Sequence, residues 1–236
     1  MRLLSSLVVS GVWVSSLAFA GTRGDGVIRT ETRKLEAFHE VSVGGGVKLK
    51  VKKGEPQVAL TGDQNLLPLL TTTVSNGRLK IEHKEWNVRP SRELEVVVTV
   101  PSLDGLEASG GVEATLEATA VDATKLTLEL SGGVELDAAN LSIATLTVDA
   151  SGGVKARLSG KAKTLKLDLS GGVEFDASKL DAATAVVDAS GGCTVKVRAT
   201  ESLTASASGG VDLRVGGNPA KRNVHTSGGA DVSNLD

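Results

Sequence analysis

The chain has 236 residues: 26 Lys+Arg against 28 Asp+Glu, 28 Gly, three His, one Cys, two Trp, three Phe and no Tyr. One cysteine excludes an internal disulfide framework, and three scattered histidines exclude a zinc site of the usual His/Cys kind. A formal charge of −2 and so few rings exclude a basic, base-stacking nucleic-acid binder.

Residues 1–20 read as a secretory signal. Arg2 supplies the positive end, an apolar run follows from Leu3 to Leu17, and Ala18-Phe19-Ala20 precedes Gly21 as a small-x-small cleavage site. The run is too short to span a membrane, and no later segment is apolar enough. The mature protein is therefore expected to be extracytoplasmic, in the periplasm, on the outer surface or secreted, and not membrane-spanning. Residues 21–37 are polar and expected to be flexible. Their Arg23-Gly24-Asp25 tripeptide is read as a chance occurrence.

Residues 38–236 read as one domain, with 38–103 as irregular first turns. Alternation predicts strands over 41–51, 57–61, 78–82 and 93–100. Asn76-Gly77 signals a hairpin turn. Asp63–Leu70 reads as a short helix capped by Asp63, with Pro68 near its end, or as a turn.

From 104 to 236 a unit of about 20 residues repeats. The element Ser-Gly-Gly followed by a small apolar residue starts at Ser109, Ser131, Ser151, Ser170, Ser190, Ser208 and Ser227. Gly44-Gly45-Gly46-Val47 reads as a degenerate earlier member. Positions one, three and five before the Ser, and five after it, are apolar in most repeats, so they share one face of extended chain. The first glycines (Gly110, Gly132, Gly152, Gly171, Gly191, Gly209 and Gly228) fall on that same inward face. They mark a corner where a side chain does not fit, or where a bent backbone needs glycine. So short a unit cannot bury its apolar face alone. Stacking the units predicts an all-β fold, a parallel β-helix with turns of about 20 residues. Length variation is confined to one stretch, as in 159–164 and 216–221.

Two charge columns run along the predicted stack. Four and six residues after the Ser, the turns starting at 131, 151 and 170 read Glu135, Lys155, Glu174 and Asp137, Arg157, Asp176. In-register stacking places Lys155 between Glu135 and Glu174, and Arg157 between Asp137 and Asp176. Two residues before the Ser stand Glu107, Glu129, Asp149, Asp168 and Asp188. This acidic column is read mainly as a solvated face. Its sharper reading makes Glu129, Asp149, Asp168 and Asp188 candidate calcium ligands.

The order of motifs resembles the head-GIN-domain family, whose members are designated auto-transporter adhesins. The resemblance covers about residues 35–232. It rests on Phe38-His39-Glu40-Val41-Ser42-Val43, on Asn65-Leu66-Leu67 followed by 74–81, on Val98-Thr99-Val100-Pro101-Ser102-Leu103, and on the Ser-Gly-Gly repeats. It implies a right-handed β-helix in a bacterial envelope and offers no catalytic residue.

No catalytic constellation appears in the sequence. His39, His83 and His225 lie far apart, and Cys193 sits in the column of small apolar residues as a buried hydrophobe. The expected function is a non-enzymatic secreted or cell-envelope protein for adhesion or assembly, with an unknown surface partner, protein or glycan. It is expected to need no cofactor, calcium being the one candidate. The alternative is a polysaccharide-binding or polysaccharide-cleaving β-helix enzyme. The last, partial turn after Ser227 is the expected edge for self-association.

Overall fold

The computed structural model describes residues 21–84 and 87–235, so the signal segment at 1–20 lies outside the described residues. The fold is a β-solenoid of about six turns with almost no helix. Its N-terminal strands are β1 (Thr22–Arg23), β2 (Ile28–Lys34), β3 (Glu40–Gly44), β4 (Val47–Lys53), β5 (Gln57–Asp63), β6 (Leu70–Ser75), β7 (Arg78–His83), β8 (Val88–Arg89) and β9 (Leu94–Val100). The repeats supply β10 (Gly105–Ser109), β11 (Val112–Glu117), β12 (Lys125–Ser131), β13 (Val134–Gly152), β14 (Lys155–Gly171), β15 (Glu174–Gly191), β16 (Thr194–Gly209), β17 (Asp212–Gly216), β18 (Lys221–Gly228) and β19 (Asp231–Asn234).

Each turn lays one segment on a first face, ending at the repeat Ser, and one on a second face beyond the glycine pair. The repeat strands pair in parallel with Ser over Ser, from Ser109↔Ser131 to Ser208↔Ser227. Register shifts fall at Ala138/Leu141, Arg157/Ser159 and Ala177/Asp181, within the stretch where the repeat length varies. The alternating Ala, Val and Leu columns point inward and form one continuous core. Leu128, Val148, Leu167, Val187 and Ala205, for example, stack directly and are all buried.

The repeat glycines correct the inward-face expectation. All seven are exposed and have φ between +69° and +91°. Each turns the chain sharply between the two faces, out of phase with the pleat. A Cβ on Gly152 would lie 3.1 Å from the backbone nitrogen of Gly132. Glycine is thus required both for its positive φ and for the close spacing of turns. Gly45 has φ +90° and stacks beneath Gly110, so 44–47 is a true member of the series.

The first 100 residues do not stack in sequence order. The turn β3–β4 has β7 and β9 on one side and β10 and β11 on the other, all parallel. The end is then closed by antiparallel strands: β6 on β7, β5 on β9 and β2 on β5. The expected hairpin at Asn76-Gly77 joins β6 to β7, with φ of 51° and 76°. Residues 21–37 are not a flexible lead-in, because β2 pairs along its whole length with β5. Of the helix or turn expected at 63–70, the turn is realised, a single 3-10 turn at Leu67–Leu69 with Pro68 in its first turn. Asp63 caps nothing there. Its carboxylate is buried and accepts from the Gly26 and Ser91 amides and from the Ser91 hydroxyl.

Candidate functional site

The first face carries the acidic column in register. Glu107, Glu129, Asp149, Asp168 and Asp188 lie directly over one another, and Ser206 ends the run. Glu107 pairs with Arg78 at 3.1 Å. Asp149, Asp168 and Asp188 are exposed and form no ion pair among the described residues. Thr127, Thr147, Lys166 and Val186 flank the acids on one side and the Ser column on the other. The result is a flat array of polar groups repeating at about 4.8 Å, the spacing of paired strands.

The second face neutralises itself. Lys155 stacks between Glu135 and Glu174, and Arg157 between Asp137 and Asp176, as the alternation predicts. Side chains choose among these neighbours. Lys155 Nζ lies 3.5 Å from Glu174, and Arg157 donates to Glu135 at 2.9 Å and lies 3.5 Å from Asp137. The Glu135 hydrogen bond raises the Arg157 pKa. Asp176 turns instead to the Ser178 hydroxyl and to Lys196 at 3.4 Å. Desolvation pushes its pKa up, but the Ser178 hydrogen bonds and Lys196 outweigh this and hold it low. Further along, Lys48 pairs with Glu113 at 2.9 Å.

A third cluster forms where β3 and β10 begin, and the sequence reading missed it. His39 Nδ1 lies 2.9 Å from Asp104 Oδ1. Arg78 donates to Glu40 at 2.7 Å, and Lys125 Nζ lies 3.3 Å from Asp104 Oδ2. The signal was available. Once Gly44 is aligned with Ser109, an offset of 109 − 44 = 65 carries His39 onto Asp104. At the other end of β7, beside Gly45, burial lowers the pKa of His83, whose Nδ1 has no hydrogen-bond partner. The three histidines do not converge on one site. Cys193 is buried in the Val column, with Sγ 3.2 Å from the Ser190 carbonyl, and packs as a small hydrophobe.

Residues 37–219 match the family described as "Putative auto-transporter adhesin, head GIN domain". The match spans most of the chain, and the chain belongs to that family. Solved structures share the fold. A "putative adhesin" from Bacteroides fragilis NCTC 9343 superimposes with a TM-score of 0.81 at 19% identity, covering 91% of this chain and 100% of that one. A "putative lipid binding protein" from Parabacteroides distasonis ATCC 8503 gives 0.74 at 18% identity, covering 91% and 99%. A "putative adhesin" from Parabacteroides merdae ATCC 43184 gives 0.66 at 17% identity, with the same coverage. No curated protein matches the chain.

Proposed function

From membership in this adhesin family, we propose that the chain is a non-enzymatic, extracytoplasmic solenoid that binds a surface partner, protein or glycan, through its first face. The observation that carries the reading is the contrast between faces. The second face satisfies its charges internally, whereas the first presents an in-register acidic column in which Asp149, Asp168 and Asp188 form no ion pair among the described residues, beside the Ser column. Such a surface has polar groups free to meet a partner. No helix among the described residues is long and apolar enough to cross a membrane. The reading is tested on a glycan array and on envelope fractions, with and without calcium. Binding weakened by Asp149→Lys with Asp168→Lys supports it, and binding indifferent to both substitutions sinks it.

Self-association through the edge of β18 and β19 belongs to the same reading. Appending a Pro-bearing segment after Asp236 is expected to shift oligomers toward monomer in light scattering. A protein that is monomeric at high concentration removes this part. The alternative, polysaccharide cleavage, has one feature in its favour. Glu40, Glu107 and Glu129 surround Arg78 at a hollow of about 180 Å³. Turnover of an acidic polysaccharide, lost in Glu107→Gln, would replace the non-enzymatic reading.

A further inference from the structure

We propose that His39, Glu40 and Asp104 form a binding site for one divalent transition-metal ion, zinc or nickel in class, at the junction of the first regular turns. Each residue offers one ligand atom, and these atoms all lie within 4.8 Å of one another. Among the described residues no other three His, Cys, Asp or Glu side chains do so. The acidic column, although in register, brings no three carboxylates that close.

The backbone that carries the three residues is fixed. The amides of His39 and Glu40 both donate to the Gly77 carbonyl, at 2.8 and 3.1 Å. The Asp104 amide donates to the His39 carbonyl at 2.9 Å. Ligands of a zinc-sized ion sit about 2.0–2.2 Å from the metal, hence about 3–3.5 Å from one another. His39 and Asp104 already meet at 2.9 Å, so closing the set asks only the Glu40 carboxylate, within 4.8 Å, to leave Arg78 and move inward. Gly105 keeps that movement possible: a Cβ there would press on Glu40 Cγ at 3.0 Å.

The charge balance also leaves room for a cation. Glu40, Asp104, Glu107 and Glu129 gather around Arg78 and Lys125. Four carboxylates face two basic groups. Arg78 keeps Glu107 as a partner if it yields Glu40. The Lys125 side chain is 58% exposed and swings into solvent at little cost. An imidazole with two carboxylates suits zinc or nickel, whereas calcium takes an all-oxygen shell. Three protein ligands leave outward positions for water or for a group on a partner. The site stands independently of what the first face binds.

The test is calorimetric titration of the folded full chain with zinc chloride and nickel chloride. One site per chain is expected. His39→Ala and Asp104→Asn should each weaken it at least about tenfold. Lys125→Ala, a surface change that removes the competing cation, should tighten it several-fold. His225→Ala should leave it unchanged, and excess calcium should not compete. Melting of each variant without metal separates loss of a ligand from loss of the fold. No binding, binding unchanged by His39→Ala and by Lys125→Ala, or binding lost in His225→Ala would overturn the assignment.

Discussion

Arg222 Nη1 donates a 2.9 Å hydrogen bond to Asn234 Oδ1 across the last turn of the solenoid. Both residues stand where interior columns should continue. Arg222 follows Leu126, Leu146, Leu165, Ala185 and Leu203, and Asn234 follows Val197 and Val215. At the other end the column of Asn234 begins with Arg33, which pairs in register with Val58. Arg33 donates to the Leu70 carbonyl at 2.8 Å, the Leu67 carbonyl at 3.2 Å and the Thr72 hydroxyl at 3.2 Å. A guanidinium thus closes each end of the core and keeps the apolar columns from meeting water.

Arg33→Ala takes the guanidinium from the Leu70 carbonyl and from the Leu67 carbonyl, which keeps the Leu70 amide, and is expected to cost about 1–3 kcal/mol, read by chemical denaturation. Arg222→Leu should expose an apolar end and raise the apparent mass in light scattering. Unchanged stability in the first and unchanged mass in the second would show that the arginines are not caps.

The stacking register was legible because the sequence aligns itself. Seven copies of Ser-Gly-Gly fix which residues share a column, and Lys155 and Arg157 landed between the expected acids. What was not legible depended on breaks in that repetition. The chain leaves the stack after β4 and returns at β10, so β7 and β9 occupy a turn that sequence order places elsewhere. Asp63 read as a helix cap because its partners, Gly26 and Ser91, are 37 and 28 residues away. Arg33 looked like part of a polar lead-in because nothing local reveals that it faces the core. The His39–Asp104 pair was hidden by the same excursion, which leaves the partners 65 positions apart in sequence.

Reversing Lys155 and Arg157 to Glu should place acids against Glu135, Asp137, Glu174 and Asp176. The melting temperature is expected to fall at low salt and to recover partly as salt screens the repulsion. Equal melting of variant and parent at low ionic strength would contradict the side-chain pairing on the second face.

Asp63 should make the N-terminal strap acid-sensitive. Burial pushes its pKa up, but the Ser91 hydroxyl and the Ser91 and Gly26 amides outweigh this and hold it below the usual carboxylate value. A depressed folded pKa gives stability that is present above the ordinary carboxylate range and lost as pH falls through the folded value. Amide exchange at Gly26 and Ser91 should therefore stay protected at neutral pH and accelerate only in strong acid. Asp63→Asn should accelerate it at neutral pH. Acceleration already near pH 6 in the parent would point to another titrating group.

The acidic column is expected to behave as a solvated ladder. Millimolar calcium should leave the melting temperature nearly unchanged, whereas a bound ion at a hundredfold excess over Kd would add about 2.7 kcal/mol. Neutralising Asp149 and Asp168 to Asn should instead raise stability at low salt by removing stacked like charges. A calcium-dependent rise that the same substitutions abolish would make these residues ligands after all.

The glycine pair offers the sharpest local test, because its two members face opposite demands. Gly152 has φ +85°, and a Cβ there would lie 3.1 Å from the Gly132 nitrogen and 3.3 Å from its Cα. Gly153 has no left-handed φ, and its nearest neighbour would be the Gly132 carbonyl oxygen at an ordinary 3.6 Å. Gly152→Ala must carry the left-handed penalty of about 1–2 kcal/mol and also push two turns apart. Gly153→Ala meets neither obstacle, and alanine narrows the unfolded ensemble, so it should be neutral or slightly stabilising. For a chain of this size each kcal/mol moves the melting temperature by about 2–4 °C, so the two variants should separate clearly in one thermal scan. Adding Gly132→Ala to Gly152→Ala puts a second Cβ on the neighbouring step of the spine. That Cβ points on to Gly110 rather than back to Gly152, so the pair should lose about the sum of the single losses. Equal effects of Gly152→Ala and Gly153→Ala would mean that small size alone, not the left-handed corner, selects glycine in every turn.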